Sequence, residues 1–378
     1  MRNEKFLAAV STMIGAIVGV GIFGLPYVIS QAGFFVGFFE LIALSAVILA
    51  LHLLYGEVIL RTKEPHRFIG YAEKYLGQNV KRLVMFTVIL GSYGGLLAYL
   101  IVGGDFAARL LQPFFGGSVF FYSLLFYFVM SLMILAKIKT VGRIEIIMTA
   151  ALLLVMAVII GFGLNKINFQ NLATVNFGQS FLPYGVILFA MAGSAAVPIV
   201  RDLMAGEEAK IKKTLVWGTL IPAVLYALFI FTVVGISGAN TTKETLAGLS
   251  LYFGPSIIFL GRIFGLLAIA TSFLIFGEYL EETLNYDLKL NKTLSYLLVV
   301  GVPLIAFLGG MRNFIDTIGL VGAVAGGIEG ILLVLMISKA KKLGDRPPEY
   351  SLNLPKFMNY GIIGLLGLGI LYEIFYFI

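Results

Sequence analysis

Nearly every residue from Phe6 to Phe35 is apolar, and the middle of that run is broken by Gly15, Gly19, Gly21, Gly24 and Pro26. The run is long enough to cross a bilayer as a helix, yet glycine costs a helix about 1 kcal/mol and proline about 3 relative to alanine. Unpaired backbone in hydrocarbon costs several kcal/mol per group, so a broken helix persists only when it is buried or lines a cavity. Such a break at mid-membrane is the expected mark of a transport site. Close packing is the competing explanation, because Gly15 and Gly19 form a GxxxG pair. At about 100° per residue, however, Gly21 and Gly24 fall on the opposite face, so one packing stripe cannot account for all four.

The rest of the chain is equally apolar. With 60% hydrophobic residues, 12% charged and a mean hydropathy of +0.99, it reads as an all-α integral membrane protein. The absence of cysteine excludes disulfides, thiol catalysis and cysteine-ligated metals, and two histidines are too few for a histidine-rich metal centre. The first run is too long for a signal peptide and reads as a retained helix.

Apolar runs of about 20 residues predict eleven spanning helices, over 6–31, 34–60, 83–111, 119–136, 144–164, 181–200, 215–236, 256–284, 294–308, 314–337 and 358–377. With a cytoplasmic N-terminus, the inner segments hold every lysine and arginine except Arg109, Lys166, Lys243, Arg262 and Arg312. That is the positive-inside pattern of a multi-pass protein of the cytoplasmic membrane, and it places the C-terminus outside. The net charge of +7 is therefore inner-face charge in a lipid bilayer and not a nucleic-acid footprint.

The sixth run, PYGVILFAMAGSAAVPIVRDLM, carries a second interruption around Gly193, with Pro198 following. Runs one and six hold corresponding positions in two five-helix halves, and their odd offset gives them opposite orientation. Paired glycine and proline breaks in inverted repeats point to a binding site at the midplane. The halves are residues 1–164 and 165–342, with 343–378 as an eleventh, extra helix.

The first run, AYLIVGGDFAARLL (98–111), KKTLVWGTLIPAVLYALF (212–229) and AIATSFLIFGEYL (268–280) together resemble amino acid/auxin permeases. The TSFL of the last also resembles their hydroxy/aromatic amino acid permease relatives. The resemblance implies the leucine-transporter fold, a 5+5 inverted repeat with helices one and six broken. It also implies a symporter carrying a neutral amino acid, aromatic ones within range, into the cell. Helices one, two, six and seven would move as a bundle against three, four, eight and nine, with five and ten as gates.

The same resemblance assigns the site. The amides of Gly19, Val20 and Gly21 would receive the substrate carboxylate, and carbonyls near Ala16, Ile17 and Phe189, Ala190, Met191 and Ala192 its ammonium. Half-helix termini suit both groups without a charged side chain. Glycine is expected at 19 and 21 alike, because a side chain would block close approach. Phe23, Tyr93, Tyr99, Phe189 and Met191 are the side-chain pocket candidates. Ala16 and Ile22 stand where some sodium-coupled relatives carry asparagine, which argues against a sodium ion touching the substrate carboxylate.

Two coupling devices remain open. The carbonyls of Gly15, Val18 and Ala268 with the hydroxyls of Thr271 and Ser272 would make a five-oxygen sodium site, against ordinary back-bonding of the hydroxyls within their own helix. Alternatively Glu329 in GGIEGILL, or Glu40, would carry a proton, since a carboxyl deep in the membrane is a functional candidate. Asp105 and Arg109 read as a local ion pair, and Glu57, Glu278, Arg201 and Asp202 as gate or surface charges. No GxSxG, HExxH or paired-aspartate constellation suggests an enzyme, and no cofactor beyond Na+ or H+ is called for. An ion channel and a transporter-fold amino acid sensor are the alternative classes.

Overall fold

The computed structural model describes residues 2–136, 142–286 and 288–377, and among these every regular element is helical. A helix occupies each of the eleven expected runs. In chain order they are α1 (Arg2–Ile17), α2 (Leu25–Ala32), α3 (Phe34–Leu60), α4 (Phe68–Leu76), α5 (Gln78–Phe115), α6 (Val119–Leu135), α7 (Gly142–Gly163), α8 (Leu182–Ala190) and α9 (Ala196–Leu203). Then follow α10 (Ile211–Ser237), α11 (Leu246–Leu249), α12 (Pro255–Tyr286), α13 (Lys292–Leu308), α14 (Phe314–Val321), α15 (Gly327–Leu343) and α16 (Lys356–Phe377).

Six helical stretches are long and apolar enough to cross a membrane on their own, and the bent pair at the N-terminus makes a seventh. Three more apolar helices are shorter. At 1.5 Å per residue the 38-residue α5 reaches about 57 Å, well beyond the roughly 30 Å of hydrocarbon, so its ends stand outside it. It begins five residues before the expected start, because Gly77, at φ +91°, supplies the turn that ends α4 and launches α5.

Proline sits where a helix loses least by it. Pro26 lies in the first turn of α2 and Pro183 in that of α8, positions whose N–H would have no helical partner in any case. The glycines break the first helix; the proline starts its second half. α10 packs along α1 and α3, while α5 runs between α6 and α12. α8 lies against α14 so closely that a Cβ on Gly185 would strike the backbone of Gly319, and one on Gly322 that of Gly185. Between α14 and α15 the chain makes one π-helical stretch, Gly322–Gly326, an element the sequence does not announce.

One end of the bundle gathers the basic loops. There the Arg201 guanidinium, at the end of α9, donates to the carbonyls of Thr62 and Lys63 at 2.9 and 3.0 Å and to the Tyr71 hydroxyl at 3.1 Å. Glu57 departs from its expected place among gate or surface charges, for its side chain is fully buried. Its carboxylate accepts from Arg61 Nε and Nη2 at 2.9 and 2.8 Å, from Ser351 Oγ at 2.8 Å and from the Leu352 N–H at 2.6 Å. The segment between α15 and α16 thus clasps the end of α3, and Tyr350 adds a bond to the Leu53 carbonyl at 2.7 Å. A buried carboxylate persists only when paired and hydrogen-bonded in this way.

Candidate functional site

Both interrupted helices break as glycine and small residues dictate. α1 stops at Ile17, a 3-10 turn runs over Val20–Phe23, and the two limbs meet at 51°. The N–H groups of Gly19, Val20 and Gly21 have no backbone acceptor among the described residues. In the second helix, α8 ends at Ala190 and α9 begins at Ala196, and the N–H groups of Gly193, Ser194 and Ala195 are likewise without backbone acceptors. Each interruption therefore presents donors from one half-helix and carbonyls from the other.

The two interruptions lie side by side. A Cβ on Gly21 would sit 2.7 Å from the Cα of Ala190 and 3.2 Å from the Phe189 ring, so the absence of a side chain at 21 is what lets the helices touch. Gly24 meets the side chains of Ile315, Ile318 and Phe314 on α14. Gly19 differs from both: the nearest atom its Cβ would meet is the Tyr99 hydroxyl, 4.0 Å away. The glycines that look alike in sequence thus divide into packing glycines at 21 and 24 and an unobstructed one at 19.

Around this point Ile17, Val18, Val20, Phe23, Tyr99, Ala190, Met191 and Thr271 are buried. Gly15, Gly19, Tyr93, Phe189, Ala268 and Ser272 are half-buried, and Ala16 and Ala192 are exposed. Phe23 packs edge-on against Phe106 at 5.0 Å, and Tyr99 edge-on against Phe276 of α12 at 5.5 Å. These contacts bring the first interruption against α5, and α5 against α12. The Thr271 hydroxyl donates to the Ala268 carbonyl at 2.9 Å, which is the back-bonding alternative and also brings two of the five expected oxygens together.

Glu329 reaches the second interruption: Ser194 Oγ donates to its carboxylate at 3.3 Å. The π stretch at Gly322–Gly326 immediately precedes it. Glu40 lies elsewhere on α3, with one carboxylate oxygen buried and without a partner among the described residues. Asp105 accepts from Arg109 Nε at 2.7 Å, as the four-residue spacing predicts. No cluster of three or more His, Cys, Asp or Glu side chains suited to a metal occurs among the described residues.

Several groups at the site escaped the sequence reading. Tyr226 of α10 reaches both interruptions, with its hydroxyl 3.0 Å from the Ile17 carbonyl and 3.3 Å from that of Ala190. His52, buried on α3, hydrogen-bonds Thr219 at 2.9 Å and faces Gly193. Thr245, in the loop before α11, holds a φ of +59° and donates to the Phe23 carbonyl at 2.5 Å. In a β-branched residue that backbone conformation is strained. Beside it, burial and the nearby Asp105 push the Glu244 carboxyl above its ordinary range. Only position along an apolar helix could have drawn attention to Tyr226 or His52, and their partners are not inferable locally.

Two interrupted helices laid together in a multi-pass helical bundle define a membrane transporter of the broken-helix type. The chain belongs to the tryptophan/tyrosine permease family, whose profile matches residues 2–373. It is 25% identical over 361 residues to the tyrosine-specific transport system 1 of Haemophilus influenzae, covering 90% of this chain and 89% of that protein. To the tryptophan-specific transport protein of Shigella flexneri it is 25% identical over 373 residues, 91% of this chain and 89% of that one. Its fold is similar to the crystal structure of MhsT in complex with L-phenylalanine, with a TM-score of 0.66 over 98% of both chains at 14% identity. The leucine-transporter fold expected from the sequence is thereby met.

Proposed function

We propose that this chain is a symporter that imports a neutral amino acid of the aromatic class by alternating access. The observation that carries the reading is the pairing of the two interruptions, Gly21 on Ala190, with N–H groups that have no backbone acceptor on one side and half-helix carbonyls on the other. Val20 and Gly21, with Gly19, would hold the carboxylate; carbonyls about Ala16, Ile17 and 189–192 would hold the ammonium. Tyr93, Tyr99, Phe23, Phe189 and Met191 would frame the side chain. The names of the tyrosine- and tryptophan-specific relatives support an aromatic substrate. A broader kinship with amino acid/auxin permeases is part of the same reading.

The basic end is taken as cytoplasmic by the positive-inside rule, with the N-terminus inside and the C-terminus outside. Residues 1–164 and 165–342 would form the inverted halves, and helices one, two, six and seven would rock against three, four, eight and nine. For the coupling ion, the Ser194–Glu329 bond favours a proton, because it links a titratable carboxyl directly to the second interruption. The sodium reading keeps its own support in the adjacent oxygens of Thr271 and Ala268.

Uptake of radiolabelled tyrosine, tryptophan and phenylalanine into proteoliposomes, with sodium and pH gradients imposed separately, tests all of this. Saturable, gradient-driven uptake with counterflow is expected. Absence of counterflow would point to a channel, and binding without flux to a sensor.

A further inference from the structure

Tyr226 stands on α10, outside both interruptions, with its ring fully buried. The two carbonyls it meets have a common origin: Ile17 is the last residue of α1 and Ala190 the last of α8. Carbonyls at the end of a helix have lost their helical partners, and they carry the negative pole of its dipole. Here two such poles converge, from different helices, on a single point shielded from water. Like poles in a medium of low dielectric repel strongly and call for a positive group between them. A metal cation, an ammonium or a hydrogen-bond donor would serve.

We propose that Tyr226 is a positioning residue of the substrate site, its hydroxyl a neutral bridge that does between the two interruptions what a bound cation would otherwise do. The inference rests on reading the interruptions as the amino acid site. The phenol has one proton, and the 3.0 Å bond to Ile17 is the principal one, the 3.3 Å contact to Ala190 the weaker. An arriving ammonium can therefore take over the Ala190 carbonyl while Tyr226 keeps its hold on Ile17. The Gly19 N–H faces the same phenol oxygen, so one hydroxyl closes the unwound turn from both sides. Its consequence for coupling is that no alkali cation is required at this junction, and any coupling ion acts elsewhere.

Tyr226→Phe deletes one oxygen and keeps the ring. Binding of L-tyrosine and L-tryptophan to the purified full-length protein would be measured at one pH in sodium, lithium and N-methylglucamine chloride. The expected result is an affinity loss of about 10-fold in N-methylglucamine, partly restored by sodium or lithium beyond any response of the wild type. In liposomes KM should rise far more than the maximal rate falls. A merely structural tyrosine would not create a cation response. Unchanged affinity and unchanged salt response in Tyr226→Phe overturn the bridge. Should the variant fail to fold, its yield of monodisperse protein is compared in the same salts: rescue by sodium or lithium supports the proposal, and rescue by none overturns it. Wild-type protein that binds neither amino acid would refute the site reading itself, whereas normal wild-type transport beside an indifferent Tyr226→Phe refutes the bridge alone.

Discussion

Gly19→Ala and Gly21→Ala should fail in opposite ways. At Gly21 the new methyl would lie 2.7 Å from the Cα and 2.8 Å from the Cβ of Ala190, where ordinary contact begins near 3.4 Å. The obstacle is backbone, so it cannot turn aside, and the two helices must part by most of an ångström. Overpacking of this kind costs about 1–3 kcal/mol, or roughly 1–4 °C in the melting midpoint of a 378-residue chain, at about 2.1 cal/mol/K of unfolding entropy per residue. Gly19 has φ −137° and ψ −154°, an extended conformation open to alanine, and its methyl would meet nothing nearer than the Tyr99 hydroxyl at 4.0 Å. Stability should stay within about 0.5 kcal/mol of wild type. The same methyl would keep a carboxylate from approaching the adjacent N–H groups to within hydrogen-bond distance, roughly 3 Å. Losing two charge-assisted bonds at about 1.5–3 kcal/mol each corresponds to roughly a 10²- to 10⁴-fold loss of affinity. Melting curves of the detergent-purified proteins, paired with tyrosine and tryptophan binding isotherms, separate the two effects. Wild-type affinity in Gly19→Ala would refute carboxylate binding at the first interruption, and wild-type stability in Gly21→Ala would refute the contact argument.

Other expectations are simpler. If the proton drives transport, Glu329→Gln abolishes pH-driven uptake while the double variant Thr271→Val, Ser272→Ala retains it; sodium coupling reverses the pattern, as flux under separate gradients will record. Glu57→Ala leaves the Arg61 guanidinium, Ser351 and the Leu352 N–H without their common acceptor, a loss of about 3–5 kcal/mol for a broken buried pair, visible as a lowered melting midpoint. At the same face, the hydrogen bond from Lys74 holds the Asp345 carboxyl below its ordinary range. Its contribution is present at neutral pH and fades only as acid protonates Asp345, so Asp345→Asn should flatten the acid limb of the stability profile. Thr245→Val removes the donor to the Phe23 carbonyl, at a cost of about 1 kcal/mol, and should raise amide exchange in the loop before α11.

The sequence made the two interruptions legible because glycine and proline act locally, each through its own backbone. Hydrophobic run length placed a helix in each expected run for the same reason, but passed over the short α4 and α11, which lie between those runs. What it could not separate was Gly19 from Gly21, since that difference lies in what faces each residue and not in the residues. Nor could it pair Tyr226 with Ile17 and Ala190, or Ser194 with Glu329, because such contacts join helices distant in the chain and leave no periodic trace. The π stretch at Gly322–Gly326 was hidden among small residues that suit an ordinary helix equally well. Glu57 looked like an inner-face charge because its acceptor role depends on a segment almost 300 residues away.

That separation gives the clasp a place in the order of biosynthesis. Glu57 leaves the ribosome 294 residues before Ser351 and 295 before Leu352. At about 5–20 residues per second, the carboxylate waits roughly 15 to 60 s for those two partners, with Arg61 alone beside it. The end of α3 is therefore finished late, when most of the other helices have already been threaded. A nascent chain arrested before residue 351 would carry a half-satisfied charge at the membrane border.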